Sequence, residues 1–348
     1  MPYLISVLLI VVFLNHINWI KQLKNRDWVL MLIAIGLGLS LVNAKIACSG
    51  YGIVLNIISL FLILYMADKV RLHRACYFLI SLVCLVCFLT WVGCGSRGYN
   101  ENMAAMIILI LAVGIMPGFA LFVHGKRCEK AYPFFVILIT VIAFAQAWEL
   151  RARGILVGIV VIWLLTILIP GCVWGCKWRY RIFVAGLIGG SILIPVSYVW
   201  LWNRRALMFQ MLGKSLYTGR QTVWEQFILA FIKEPWTGIG SDILRKIPNA
   251  LLTEVHNGLL HVLVIYGVCI FAITALLLFL VFERARIIGM GALVSRQNAY
   301  LAVGLMVSSY FENYIVMPAF NIIFFLLLTS FFVKGQEGES GYGEEPHT

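Results

Sequence analysis

Apolar residues run along this chain in blocks of about twenty, separated by short polar interruptions, until one long polar stretch at 203–257 breaks the rhythm. Runs of ~20 apolar residues have the length of a helix that crosses a bilayer. Backbone groups in lipid must be hydrogen-bonded within the segment, which selects helices over open strands, and the period-2 alternation of a β-barrel is absent. The pattern predicts eleven spans, at roughly 3–20, 28–44, 51–67, 75–93, 103–123, 131–149, 155–171, 182–201, 258–282, 299–311 and 315–333. The first is interrupted by Asn15, His16 and Asn18, and the tenth is short enough to tilt, break or begin earlier. Met1 to Leu14 lacks a basic n-region and a small-residue cleavage site, so it reads as a retained helix rather than a cleavable signal. The expected fold is all-α: one polytopic membrane domain over 1–333 carrying the loop 203–257, then a Gly- and Glu-rich disordered tail over 334–348.

Composition sharpens this. Of 348 residues, 62% are hydrophobic and 12% charged, against about 25% charged in ordinary soluble domains. The formal charge of +12 would point to nucleic acid in a soluble chain. Here the basic residues alternate from loop to loop. The odd loops hold Lys21, Lys24 and Arg26; Lys69, Arg71 and Arg74; Lys126, Arg127 and Lys130; Lys177, Arg179 and Arg181; and Arg284, Arg286 and Arg296. The short even loops hold only Lys45, Arg97, Arg151 and Arg153. Positive charge marks the cytoplasmic side, so the odd loops and the C-terminus are expected inside, and the N-terminus and the 203–257 loop outside. The positive charge is then topogenic, and nucleic acid is not an expected partner.

The basic residues that defy this rule are the informative ones. Arg151 and Arg153 lie in the turn Glu149-Leu150-Arg151-Ala152-Arg153-Gly154; Arg204, Arg205, Arg220 and Arg245 lie in the long loop. Snorkelling to headgroups is the plain alternative, above all for Arg204 and Arg205 beside Trp200 and Trp202. Within the loop, Thr218-Gly219-Arg220-Gln221 reads as a capping box with Thr218 as N-cap. Trp224, Phe227, Ile228, Phe231 and Ile232 then fall on one helical stripe, and Pro235 ends the helix. A helix N-terminus with Arg220 in its first turn is suited to an anion, because free N–H groups, the dipole and a guanidinium fork converge there. Gly238 and Gly240 allow a sharp turn. His256-Asn257 stands at the mouth of the ninth span, where an imidazole can exchange protons near neutral pH; a packed structural histidine is the bland alternative, favoured for His261. The nine cysteines lie mostly in apolar runs, and Cys84, Cys87, Cys172 and Cys176 lack the partners of a zinc site. Cys48 and Cys94 fall near external ends, where a disulfide is an open option.

Taken in order, Arg153-Gly154 opening a span, Thr218-Gly219-Arg220 with Trp224, Pro235 with Gly238-Ile239-Gly240, and His256-Asn257 followed after nine residues by Gly267 resemble the O-antigen ligase and O-antigen polymerase family of membrane glycosyltransferases. The matched pieces cover about a sixth of the chain, and the many-span layout with one late external loop fits as well. Two positions depart from the family pattern: Ile270 stands where Gly, Thr or Tyr is usual, and Ala152 where Ser often precedes Arg-Gly.

The resemblance implies a fold of the GT-C type in the bacterial inner membrane. It implies transfer of a glycan from an undecaprenyl-pyrophosphate donor to a hydroxyl of a glycan or lipid A–core acceptor on the outer face. It gives His256 the role of general base, with Asn257 orienting it or the sugar, and Arg220 and Arg153 that of meeting the pyrophosphate. Arg151, Arg245, Asn257, Trp224, Gly238 and Gly240 then line the substrates. Glu254 is the second candidate base. No cofactor or metal is called for. The competing class, a transporter or flippase of lipid-linked oligosaccharide, predicts mid-span charge and internal repeats; almost no such charge and no repeat is visible. Polymerase is slightly preferred to ligase, because the chain is short and its ligase motif imperfect.

Overall fold

The computed structural model describes residues 2–16, 27–47, 50, 52–70, 72–95, 99–124, 126–168, 175–205, 210–215, 217, 219–288, 293–316 and 318–332. Helix dominates. In chain order the elements are α1 (Pro2–His16), α2 (Trp28–Ile46), α3 (Gly52–Met66), α4 (Arg74–Cys94), α5 (Glu101–Val123), a 3-10 turn (Arg127–Ala131), α6 (Tyr132–Glu149), α7 (Arg153–Trp163) running into a π-turn (Leu164–Leu168), and α8 (Lys177–Asn203). A two-stranded hairpin follows, β1 (Gln210–Met211) and β2 (Lys214–Ser215), then α9 (Arg220–Lys233), α10 (Ile243–Lys246), α11 (Gly258–Tyr266), α12 (Val268–Ile288), α13 (Leu293–Ser308), a 3-10 turn (Tyr314–Val316) and α14 (Pro318–Thr329).

Among the described residues, six helical segments are long and apolar enough to cross a membrane: Trp28–Ile46, Arg74–Cys94, Glu101–Val123, Arg127–Glu149, Lys177–Asn203 and Val268–Ile287. Their surfaces agree with this. On α4, Phe78, Leu79, Val83 and Leu89 are each about 60% exposed, an apolar face suited to lipid rather than water. Each of the eleven expected intervals contains helix, but several helices are shorter than a full span. The ninth interval is two helices, because Gly267 breaks it with φ 86° and ψ 173°. The tenth begins earlier than expected, at Leu293. Thr218, Cys48 and the 334–348 tail lie outside the described residues, as do Asn18 and Arg97.

The chain forms two compact units. The first comprises Met1–Tyr65, Phe183–Phe279 and Met306–Ile322; the second comprises Met66–Ile182, Leu280–Leu305 and Ile323–Thr348. In the first, Asp27 caps α2 by accepting from the amides of Val29 and Leu30, and Tyr65 donates to its other oxygen at 2.8 Å. Three devices hold the described part of the loop 203–257 together. The hairpin closes through Leu212-Gly213, both with positive φ, the turn geometry that matches strand twist. An aromatic group links the end of α8 to Tyr217 and α9: Tyr198 and Trp202 each lie 5.0 Å from the Tyr217 ring, and Tyr198 lies 5.3 Å from Trp224. Finally, α9 buries Val223, Trp224 and Phe227, whereas Ile232, expected on the same stripe, is 63% exposed.

The second unit packs through small residues. A Cβ on Gly114 or Gly118 of α5 would collide with Cys84 or Ser81 of α4, and one on Gly304 with Ile162. This close approach is how helices pack where no hydrophobic force separates them from lipid. Pro117 disrupts the α5 ladder, and Ser81 repairs it by donating to Gly114 O and accepting from Gly118 N–H, both at 2.9 Å. Buried polar pairs cross between helices: Tyr132 to Asn298, Asn298 to Ser330 and Tyr77 to Thr329. Charge gathers elsewhere in the unit. Glu283 accepts from Arg181 and Arg286, and Arg284 donates to Asp68 at 2.6 Å.

Candidate functional site

The site grows from a backbone lock in the first unit. Where Gly267 stops α11, carbonyls lose their helical donors. The segment after α9 supplies replacements: Ile239 N–H donates to Val264 O at 2.9 Å and Gly240 N–H to Ile265 O at 3.1 Å, while Val268 N–H donates back to Pro235 O at 2.9 Å. The contact requires glycine on both sides. Gly238 has φ 67°, and a Cβ there would sit 2.5 Å from Ile265 O; a Cβ on Gly267 would run into Trp236 O. Two motif pieces separated in sequence are therefore one structure. Gly238 was expected to line a substrate. It is buried against backbone instead, and Gly240 is buried beside it.

The other end of α11 carries His256. Asn257 is its N-cap and is fully buried. Its Oδ1 accepts from Leu260 N–H at 2.9 Å and from Ser191 Oγ at 2.7 Å; its Nδ2 donates to Ser191 O and Tyr310 O, each at 2.9 Å. A side-chain amide has two donors and two acceptor sites, so nothing remains for a sugar. Asn257 is a structural clamp in this conformation, not a substrate ligand. Its neighbour Gly258 donates to Ser309 O at 2.8 Å. Held on this side, His256 takes φ 51°, a left-handed conformation that costs about 1–3 kcal/mol outside glycine. Trp224 is likewise moved from substrate lining to framework: it is 0% exposed, and its Nε1 donates to Val255 O at 2.8 Å. Burying a tryptophan removes about 150–250 Å² from water, roughly 4–6 kcal/mol of transfer free energy.

Arg220 is the first residue of α9. The N-cap is Gly219 with φ 89°, and Gln221 Oε1 accepts from Gly219 N–H at 3.0 Å. Glutamine thus reaches back as expected, though to Gly219. The guanidinium donates through Nη2 to Glu312 Oε1 at 2.5 Å and lies 5.9 Å from the Phe311 ring. The other oxygen of Glu312 lies 3.2 Å from His256 Nδ1. One carboxylate, its side chain 11% exposed, therefore bridges the two residues singled out by the sequence. A carboxylate only accepts, so the hydrogen bond in this pair is donated by Nδ1; in the neutral imidazole that arrangement leaves the lone pair on Nε2. No partner engages Nε2 among the described residues.

Arg153 opens α7 in the second unit, half-buried and without a side-chain cap at Ala152. Arg151 is exposed, with φ 52°. Arg245 in α10 and Glu254 are also exposed. Cys94 is a free, exposed thiol. Among the described residues no three His, Cys, Asp or Glu side chains form a metal-binding group. Glu312 was missed in the sequence. Its signal was its isolation, as the only charged residue between the last two apolar runs.

No family model, no curated protein and no solved structure matches this chain.

Proposed function

We propose that this protein is a polytopic membrane glycosyltransferase that moves a glycan from undecaprenyl-pyrophosphate to an acceptor hydroxyl at the outer face of a bacterial inner membrane. The observation that carries the proposal is the bridge Arg220–Glu312–His256, which joins an anion-binding guanidinium and an imidazole with an open Nε2 on one carboxylate. His256 Nε2 takes the acceptor proton as the acceptor oxygen bonds to the anomeric carbon. The bond from that carbon to the pyrophosphate breaks with inversion, and the electron pair leaves on the phosphate oxygen. Glu312 holds the imidazole by Nδ1 and stabilises the imidazolium that forms, the role a carboxylate plays in a base–orienter pair. Arg220 spends one N–H of its five on Glu312 and has four for the leaving group. Arg153 is retained as a second phosphate-binding candidate, and Arg151 and Arg245 as outer ones.

Eleven spans, an outer N-terminus and a cytoplasmic C-terminus complete the proposal. The ion pairs Arg284–Asp68 and Arg181–Glu283 support placing the segments that follow the third, seventh and ninth spans on one common side, and the positive charge of those segments is the reason to make it the cytoplasmic one. A periplasmic reporter fused near Gly213 is expected to be active and one near Arg179 inactive; the reverse would overturn the orientation.

Deletion of the gene and analysis of surface glycans tests the activity. Single capped repeats on the core identify a lost polymerase, and polymer retained on undecaprenyl-pyrophosphate a lost ligase. An unchanged surface polysaccharide would overturn the assignment. A His256→Ala copy that restores the glycan would remove His256 from the chemistry.

A further inference from the structure

A groove of about 320 Å³ lies on the first unit, on the face of α9 that carries Gln226, Leu229, Ala230 and Lys233. Its far wall is Ile247, Pro248 and Asn249, and Ile239 of the backbone lock borders it. The volume lies at the lower end of the ~300–1,000 Å³ typical of small-ligand sites. The lining is mixed. Leu229, Ile239 and Pro248 offer apolar surface, while Lys233, Asn249 and the Lys246–Glu234 ion pair at 2.5 Å offer donors and acceptors. A sugar ring presents both kinds of surface, C–H faces and a girdle of hydroxyls.

The groove is tied to His256 by the chain that forms its wall. Gln226 donates to Asn249 O and accepts from Leu251 N–H, each at 3.3 Å. Trp224, two residues earlier on the same helix, holds Val255 O. Residues 249–255 are thus gripped at both ends by α9, and His256 follows directly. The Gln226 end of the groove lies about 9 Å along the helix from Arg220, at 1.5 Å per residue. A ligand in the groove therefore lies within an oligosaccharide's reach of the reacting groups, beside the segment that presents the base.

We infer that this groove binds the sugar chain of the acceptor, directing its terminal hydroxyl to His256. The inference rests on the glycosyltransfer proposed above and deepens it by assigning an acceptor subsite. The test uses the full-length protein in nanodiscs and the repeat-unit oligosaccharide released from its lipid carrier by mild acid. Saturation-transfer NMR on the oligosaccharide is compared between wild type and Ala230→Trp, which fills the groove, and the Michaelis constants of donor and acceptor are measured in a transfer assay. Loss of saturation transfer and an acceptor KM raised about tenfold or more, with the donor KM and the rate at saturating acceptor unchanged, is the expected result. Lys233→Ala, at an exposed position, is expected to raise acceptor KM several-fold with the unfolding temperature unchanged. Undiminished saturation transfer in Ala230→Trp, or an acceptor KM that neither variant moves, overturns the inference, as does a groove that takes up phospholipid from the nanodisc in place of the oligosaccharide. Retained transfer by His256→Ala would instead sink the proposed function, while saturation transfer at the groove would still stand or fall on its own.

Discussion

The molecule twice places a single glutamate between two basic groups, and the two arrangements differ in what they leave unused. Glu283 is saturated by arginines: Oε1 accepts from Arg181 Nε and Nη2 and from Arg286 Nη2, and Oε2 accepts from Arg286 Nε. Both partners are permanently charged and multiply bonded, so the group works as a fastener between helices. Glu312 is met by one nitrogen of Arg220 and one of His256. Among the described residues nothing else takes up the other four guanidinium N–H groups of Arg220 or Nε2 of His256. Chemistry needs this spare capacity; a fastener needs none.

Glu312→Gln is the largest break in this comparison. It keeps the volume but removes the charge behind His256, and transfer is expected to fall about 10²–10⁴-fold, mainly in kcat, with the unfolding temperature in detergent little changed. Equal loss of stability and activity would make Glu312 another fastener. Glu283→Gln should do the converse: it leaves two arginines short of their counter-charge and costs about 1–3 kcal/mol, discounted because the Arg181 side chain is 33% exposed. Activity per folded molecule should stay constant, as measured by transfer rate against thermal unfolding of the same preparation. The smallest effect is expected from Trp224→Phe, which keeps the buried ring but orphans Val255 O. About 1–2 kcal/mol should be lost, with a several-fold fall in kcat as the His256 segment loosens.

How much of this was legible follows from what each signal encodes. Hydrophobic runs encode which residues meet lipid or one another, so helices appeared in every expected interval. The breaks appeared where glycine or proline left a mark, as at Pro235. Arg220 and His256 were visible because each is polar where its surroundings are not. Their shared partner was not, because Glu312 lies 92 and 56 residues away in the chain and only tertiary folding joins them. Counting positive charge to orient the spans also passes over a lone acid. Asn257 and Trp224 were assigned to substrate through the resemblance, as members of the motif pieces that carry His256 and Arg220. Adjacency along the chain does not say which side chains point inward, although the apolar stripe of α9 already counted Trp224 among its buried members.

Gly267 has one more consequence, in depth. A hydropathy reading sees a single span over 258–282. At 1.5 Å per residue the 21 residues of α12 measure about 31 Å, enough alone for the ~30 Å hydrocarbon layer. The nine residues of α11 add about 13 Å, and nearly all are enclosed by protein. They are therefore not needed for the crossing. His256 precedes them, at the end of α11 away from the Gly267 break.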